Sequence, residues 1–136
     1  MRRNKADGGA PHPTDGELAI LRILWGRKGP TTVREVHKAL SAAKDTAYTT
    51  VLKMLTIMAE KGLVHRNESE RSHTYTPVHP EPVVQASLLK DLVRRAFSGS
   101  AVSLMQRALD DELASSEDLE AMSRLIAQAK ASRNQR

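Results

Sequence analysis

The sequence predicts a mostly α-helical chain of 136 residues, broken once near its middle by a small β-hairpin. Three observations predict it. Apolar residues recur at three- and four-residue spacing through most of the chain. Capping signatures stand ahead of several of these periodic runs. One stretch, 63–78, instead carries two short runs of strand-forming residues around a polar turn.

Residues 1–13 are polar, with Gly8, Gly9, Pro11 and Pro13, and read as a disordered arm. Thr14-Asp15-Gly16-Glu17 is a capping box, threonine at the cap and glutamate three residues on. The helix behind it runs to about Trp25, with Leu18, Ile20, Leu21, Leu24 and Trp25 on a broad apolar face; Trp25 is a core anchor rather than a platform for a ligand. Gly26-Arg27-Lys28-Gly29-Pro30 is a turn. Thr32-Val33-Arg34-Glu35 is a second capping box, and its helix spans about 33–40 with Val33, Val36 and Leu40 inward. Residues 41–45 make a short connection.

The stretch from Lys44 to Gly62 reads as one helix, with Asp45 or Thr46 as its cap and Gly62 ending it. Ala47, Val51, Met54, Leu55 and Met58 give it a buried face. The opposite face carries Thr46, Thr49, Thr50 and Lys53, short hydroxyls and one lysine near the helix start. Such a face can approach DNA closely, because hydroxyls reach phosphates or base edges and a helix N-terminus favours a phosphate. A solvated helix face is the alternative. Leu63-Val64-His65-Arg66 and His73-Thr74-Tyr75-Thr76-Pro77-Val78 are the two hairpin strands, and the turn between them is polar. Three helices followed by a hairpin is the order of a winged helix-turn-helix, with the third helix as the reading element. Arg66, Arg71 and His73 stand in the wing within reach of a phosphate. Glu68 and Glu70 at its tip oppose one, which makes Arg71 the stronger candidate.

His79-Pro80-Glu81-Pro82 marks a boundary. Beyond it three short amphipathic helices follow. The first carries Leu88, Leu89, Leu92, Val93 and Phe97. Ser100 caps the second, with Leu104, Met105 and Leu109; the third, opening at Ser115-Ser116-Glu117-Asp118, holds Leu119, Met122, Leu125 and Ile126. A core built from these alone is small. Burying the remaining apolar face against a second copy completes it, so residues 81–136 read as a dimerisation module; an appendage packed back on residues 14–80 is the alternative.

Charge follows the same division. Residues 1–80 hold 13 Lys and Arg against 8 Asp and Glu, whereas residues 81–136 hold 8 of each. The positive excess lies in the half with the candidate reading helix, as a polyanionic partner requires. No cysteine is present, so disulfides and thiolate metal sites are excluded. No run is long and apolar enough for a membrane span, and no signal-peptide core follows the basic start, which points to a cytoplasmic protein. His12, His37, His65, His73 and His79 include no i,i+4 pair and no HExxH, so no metal or cofactor is expected. Nothing groups into a nucleophile with its base or into a phosphate-cradling loop, and no enzyme is expected.

These residues carry a resemblance. Thr14-Asp15-Gly16-Glu17-Leu18 with Leu24-Trp25, then Thr32-Val33-Arg34-Glu35-Val36, Ala47-Tyr48-Thr49-Thr50-Val51 with Met54-Leu55, Lys61-Gly62-Leu63-Val64, and His73 through Val78 resemble, in order, the penicillinase-repressor family, the BlaI/MecI/CopY group. The resemblance implies a homodimeric repressor on an inverted-repeat operator. It implies an N-terminal winged helix over 14–80 and a C-terminal three-helix dimerisation domain over 81–136. Carried over by position, it assigns DNA contacts to Thr46, Tyr48, Thr49, Thr50 and Lys53, to Arg71 in the wing, and to the helix starts at Thr14 and Thr32. It also implies release from DNA by cleavage linked to a membrane metalloprotease sensor. The family's Asn-Phe cleavage bond aligns with Arg107-Ala108 and is not matched, and without cysteine the copper-responsive mechanism is excluded. Two other readings stay open, a ligand- or metal-sensing winged-helix regulator of another class and a winged-helix module that binds protein.

Overall fold

A computed structural model describes residues 12–69 and 71–135. Its elements run α1 (Asp15–Gly26), β1 (Thr31–Thr32), α2 (Val33–Ala43), α3 (Tyr48–Glu60), β2 (Val64–Asn67), β3 (Thr74–Pro77), α4 (Glu81–Ala96), α5 (Ala101–Asp110) and α6 (Ser116–Asn134). They form two units, the first ending at Asp91 and the second running Leu92–Arg136.

The first unit is a winged helix. Both expected capping boxes form. Thr14 Oγ1 accepts from the Glu17 N–H at 3.2 Å while Glu17 Oε1 accepts from the Thr14 N–H at 2.9 Å. Thr32 and Glu35 repeat the exchange at the start of α2. Helix α2 runs three residues beyond the expected end, to Ala43, taking in Ser41-Ala42-Ala43 from the connection. Gly62, at φ 82°, ends α3, and the Leu63 N–H bonds back to Met58 O at 2.9 Å. Both interactions belong to a left-handed helix stop that only glycine makes without strain.

The hairpin β2–β3 is antiparallel, with Arg66 opposite Tyr75 and Asn67 opposite Thr74. The sequence gives no sign of β1, whose two residues pair with β3 at Thr31–Tyr75 and Thr32–Thr74. Two residues are too few to show a period, and the same Thr32 already reads as a helix cap. The sheet order is β1-β3-β2. Ile20, Leu21 and Leu24 of α1, Val33 and Val36 of α2, and Val51, Leu55 and Met58 of α3 bury a common core with Leu63, Val64 and Tyr75; Trp25, Leu40 and Met54 pack against it. Trp25 also donates its indole N–H to His79 O at 3.0 Å, fixing the exit of the wing. Ala47, expected inward, is exposed.

Two expectations about boundaries change. The sequence divides the chain at Pro80, but α4 contributes Val84 and Ser87 as buried residues of the first unit, which therefore extends through Asp91. His12, expected within the disordered arm, is held: its Nε2 meets Ser87 Oγ at 3.0 Å, and its Nδ1 lies 3.9 Å from Asp91 Oδ2. The rest of that arm, residues 1–11, lies outside the described residues.

An ion pair ties the end of α3 to the start of α1. Lys61, just past α3, donates to both oxygens of Glu17 at 2.8 and 2.9 Å. Burial alone would raise the Glu17 pKa; the hydrogen bonds from Lys61 and from the Thr14 N–H, with the lysine's charge, outweigh it and leave the pKa lowered. A carboxylate lowered in the folded state stabilises fully above its unfolded value, about pH 4.3, and that contribution fades as pH falls through the folded value. Glu17→Gln, which keeps the cap, is therefore expected to lose about 1–2 kcal/mol at neutral pH. Urea melts of the two proteins should converge as pH drops below that range; curves that stay parallel would remove the pair from the account of stability.

The second unit holds the end of α4 with α5 and α6. Ser100 caps α5 as expected, accepting from the Ser103 N–H at 3.0 Å. Ser115 and Asp118 form a third capping box at α6. Neither α5 nor α6 contains a buried residue.

Candidate nucleic-acid interface

The turn between α2 and α3 sets the reading helix. His37 Nε2–H donates to Thr46 O at 2.8 Å, and Ser41 Oγ donates to the same carbonyl at 3.4 Å. The His37 ring meets the Tyr48 ring edge-on, centroids 5.6 Å apart. Thr46 Oγ1 donates to Lys44 O at 2.9 Å. These bonds correct the expected cap. Helix α3 begins at Tyr48 with Ala47 at the cap position and no side-chain cap bond, so neither Asp45 nor Thr46 performs that role. The Thr46 hydroxyl is engaged in the turn and is no longer on the helix face. No side chain among the described residues caps the first turn of α3, whose Thr50 N–H bonds to Ala47 O at 3.1 Å.

Thr49, Thr50 and Lys53 stand exposed together on the outer face of α3, and Lys53 makes no ion pair among the described residues. That face also carries large apolar groups. Tyr48 and Leu52, 45% and 41% exposed, lie one turn apart on its wing side, and Ile57 is exposed further along. Between α3 and the wing lies an open groove of about 640 Å³ lined by Thr32, Arg34, Tyr48, Leu52, Arg71 and His73 among others. Of the expected contact residues, Thr32, Tyr48 and Arg71 line this groove, Thr49, Thr50 and Lys53 share the helix face, and Thr14 caps α1 outside it. Arg34 was missed. Its signal was its place in the first turn of α2, two residues past the Thr32 cap.

The wing is partly neutralised. Arg66 Nε pairs with Glu68 Oε2 at 2.8 Å. The Tyr75 hydroxyl and then Glu68 raise the Arg66 pKa. Arg71, Arg34 and Lys53 therefore make the positive rim.

In the second unit, the residues expected to dimerise are all at least partly open. Leu92, Leu109, Leu119, Leu125 and Ile126 are exposed, and Val93, Phe97, Leu104, Met105 and Met122 are half-buried. On the α4 stretch within the first unit, Leu89 is exposed and Leu88 half-buried. A second groove, about 610 Å³, runs along α5 past Val102, Leu104, Met105 and Leu109 to Ile126 of α6. No helix of the described residues is long and apolar enough to cross a membrane.

A three-helix core with an antiparallel wing and an exposed, hydroxyl-bearing third helix is the architecture of winged-helix DNA-binding regulators of transcription. Comparison with known proteins narrows the class. The profile of the penicillinase repressor family matches residues 13–128, and the chain belongs to that family. The transcriptional regulator BlaI of Mycobacterium tuberculosis, from two strains, is 37% identical over 123 residues, 90% of this chain and 88% of its own length. Among solved structures, monomeric BlaI of Bacillus licheniformis in complex with the blaP half-operator is similar at 27% identity and TM-score 0.47, over 54% of this chain and 88% of that one. MepR, a transcription regulator of the Staphylococcus aureus multidrug efflux pump MepA, is similar at 19% identity and TM-score 0.46, over 88% and 78%.

Proposed function

We propose that this chain is a homodimeric transcriptional repressor that acts in the cytoplasm on an inverted-repeat operator. The exposed Thr49, Thr50 and Lys53 face of α3, bordered by the Arg34 and Arg71 groove, carries the reading. Each protomer sets α3 in a major groove. The uncapped start of α3, with Thr32 and Arg71, meets phosphates on either side. Two protomers reach grooves about 34 Å apart on one face of the duplex. The open apolar surface of the C-terminal helices supplies the self-association, and occupancy of the promoter excludes polymerase. No cofactor is needed.

Induction belongs to the same reading. A cut linked to a membrane metalloprotease sensor separates the two half-site contacts, and affinity collapses. Arg107-Ala108, the bond aligned with the family's cleavage bond though not matching it, lies within α5, which holds no fully buried residue.

Anisotropy titration of the chain's own upstream duplex against a scrambled one, at several salt concentrations, tests the proposal. Tighter saturable binding at every salt, with two protomers per repeat, is the expected result; equal and steeply salt-dependent binding to both would leave only charge attraction. Lys53→Ala is expected to weaken operator binding while leaving the dimer intact. If Lys53 meets a phosphate, the salt slope falls by about one; if it meets a base, specificity relaxes at one position. Unchanged affinity would take Lys53 out of the interface.

A further inference from the structure

We infer that Leu52 reads the C5-methyl group of a thymine, making it a specificity-determining residue of the interface. The inference rests on the DNA-binding function proposed above. Leu52 is 41% exposed in the second turn of α3, beside Thr49, Lys53 and Thr56, and it lines the groove toward the wing. The core is already closed beneath this helix by Val51, Leu55 and Met58, all fully buried, so the open part of the Leu52 side chain adds nothing to packing.

The surroundings identify what covers it. Lys53 shares its face, and Arg34 and Arg71 line the same groove, so the leucine sits among cations suited to a polyanion. Tyr48, one turn earlier, flanks it with a ring held edge-on by His37. The Thr56 hydroxyl is turned back to Leu52 O at 2.9 Å, so the strip next to Leu52 offers one donor fewer. A leucine neither gives nor accepts a hydrogen bond. In the major groove the one apolar feature that a normal base presents is the thymine methyl; the other edges show donors and acceptors that a leucine would leave unpaired. Leu52 therefore favours thymine twice, by covering its methyl and by desolvating the polar edges of the other bases.

The test uses the full-length protein and the duplex it selects from a random-sequence pool. Each thymine is replaced in turn by deoxyuridine, which removes only the methyl. One position per half-site is expected to lose about fourfold in affinity, the worth of one buried methyl. Leu52→Ala should lose that sensitivity, 5-methylcytosine should partly restore binding when cytosine occupies the position, and Leu52→Gln should shift the preference there toward adenine. No deoxyuridine effect at any thymine, or an effect that persists undiminished in Leu52→Ala, overturns the assignment while leaving DNA recognition by α3 in place. Failure to select any sequence overturns both.

Discussion

A chain ended after Asp91 is expected to stay folded, to run as a monomer, and to bind an operator duplex about 10²–10⁴-fold more weakly than the full chain. The first unit keeps its whole core in that fragment, including Val84 and Ser87 of α4 and the His12 contact to Ser87. What is lost is the unit whose α5 and α6 hold no fully buried residue and most of whose leucines stay open, Leu125 at 63% and Leu113 at 75%. If that surface joins two copies, its removal turns one bivalent contact into two independent weak ones. A shorter fragment ended after Pro80 serves as the control. It removes Val84 and leaves His12 without Ser87, so it should melt at lower urea than the longer fragment. Sedimentation and anisotropy read the two results. A dimeric fragment, or one with full affinity, would move self-association out of the C-terminal helices.

Leu55→Ala is expected to destabilise the first unit by about 2–5 kcal/mol, a large share of the 5–15 kcal/mol that a small domain has in total. Leu55 is fully buried on the inner face of α3, within the core that α1, α2 and the sheet share. Truncation removes its methyl groups and leaves a cavity that close-packed helices fill only in part. Lys53→Ala, on the other side of the same helix, should change stability by no more than about 0.5 kcal/mol. The pair of variants thus separates the two faces of α3: one lowers the urea midpoint at constant slope, the other weakens binding without moving it. A small loss in Leu55→Ala would mean that the helices close over the gap.

Much of this arrangement is legible in the residues. Capping boxes at Thr14 and Thr32 are local, since four consecutive residues specify them, and both helix starts form where the pattern places them. The Gly62 stop is local in the same way. The start of α3 is not. Asp45 and Thr46 are both good caps in isolation, but His37 and Ser41 take the Thr46 carbonyl and the Thr46 hydroxyl turns to Lys44, which pulls both residues out of the helix. The tie from His12 to Ser87 and the pair from Glu17 to Lys61 join positions far apart in the chain, and no spacing rule announces them. At the interface, the polar residues of α3 stood out as a face, whereas Leu52, outside the buried stripe and not polar, belonged to neither pattern.

The aromatic residues fall unevenly. The one tryptophan and both tyrosines, Trp25, Tyr48 and Tyr75, lie in the first unit, and the second has only Phe97. Trp25 hydrogen-bonds to His79 O, where the wing hands the chain on to α4. Intrinsic fluorescence therefore watches the winged helix alone, while far-ultraviolet circular dichroism sums the helices of both units. Superimposable melts from the two signals would mean that the chain unfolds as one cooperative body; separate midpoints would resolve the unfolding of each half without attaching a dye.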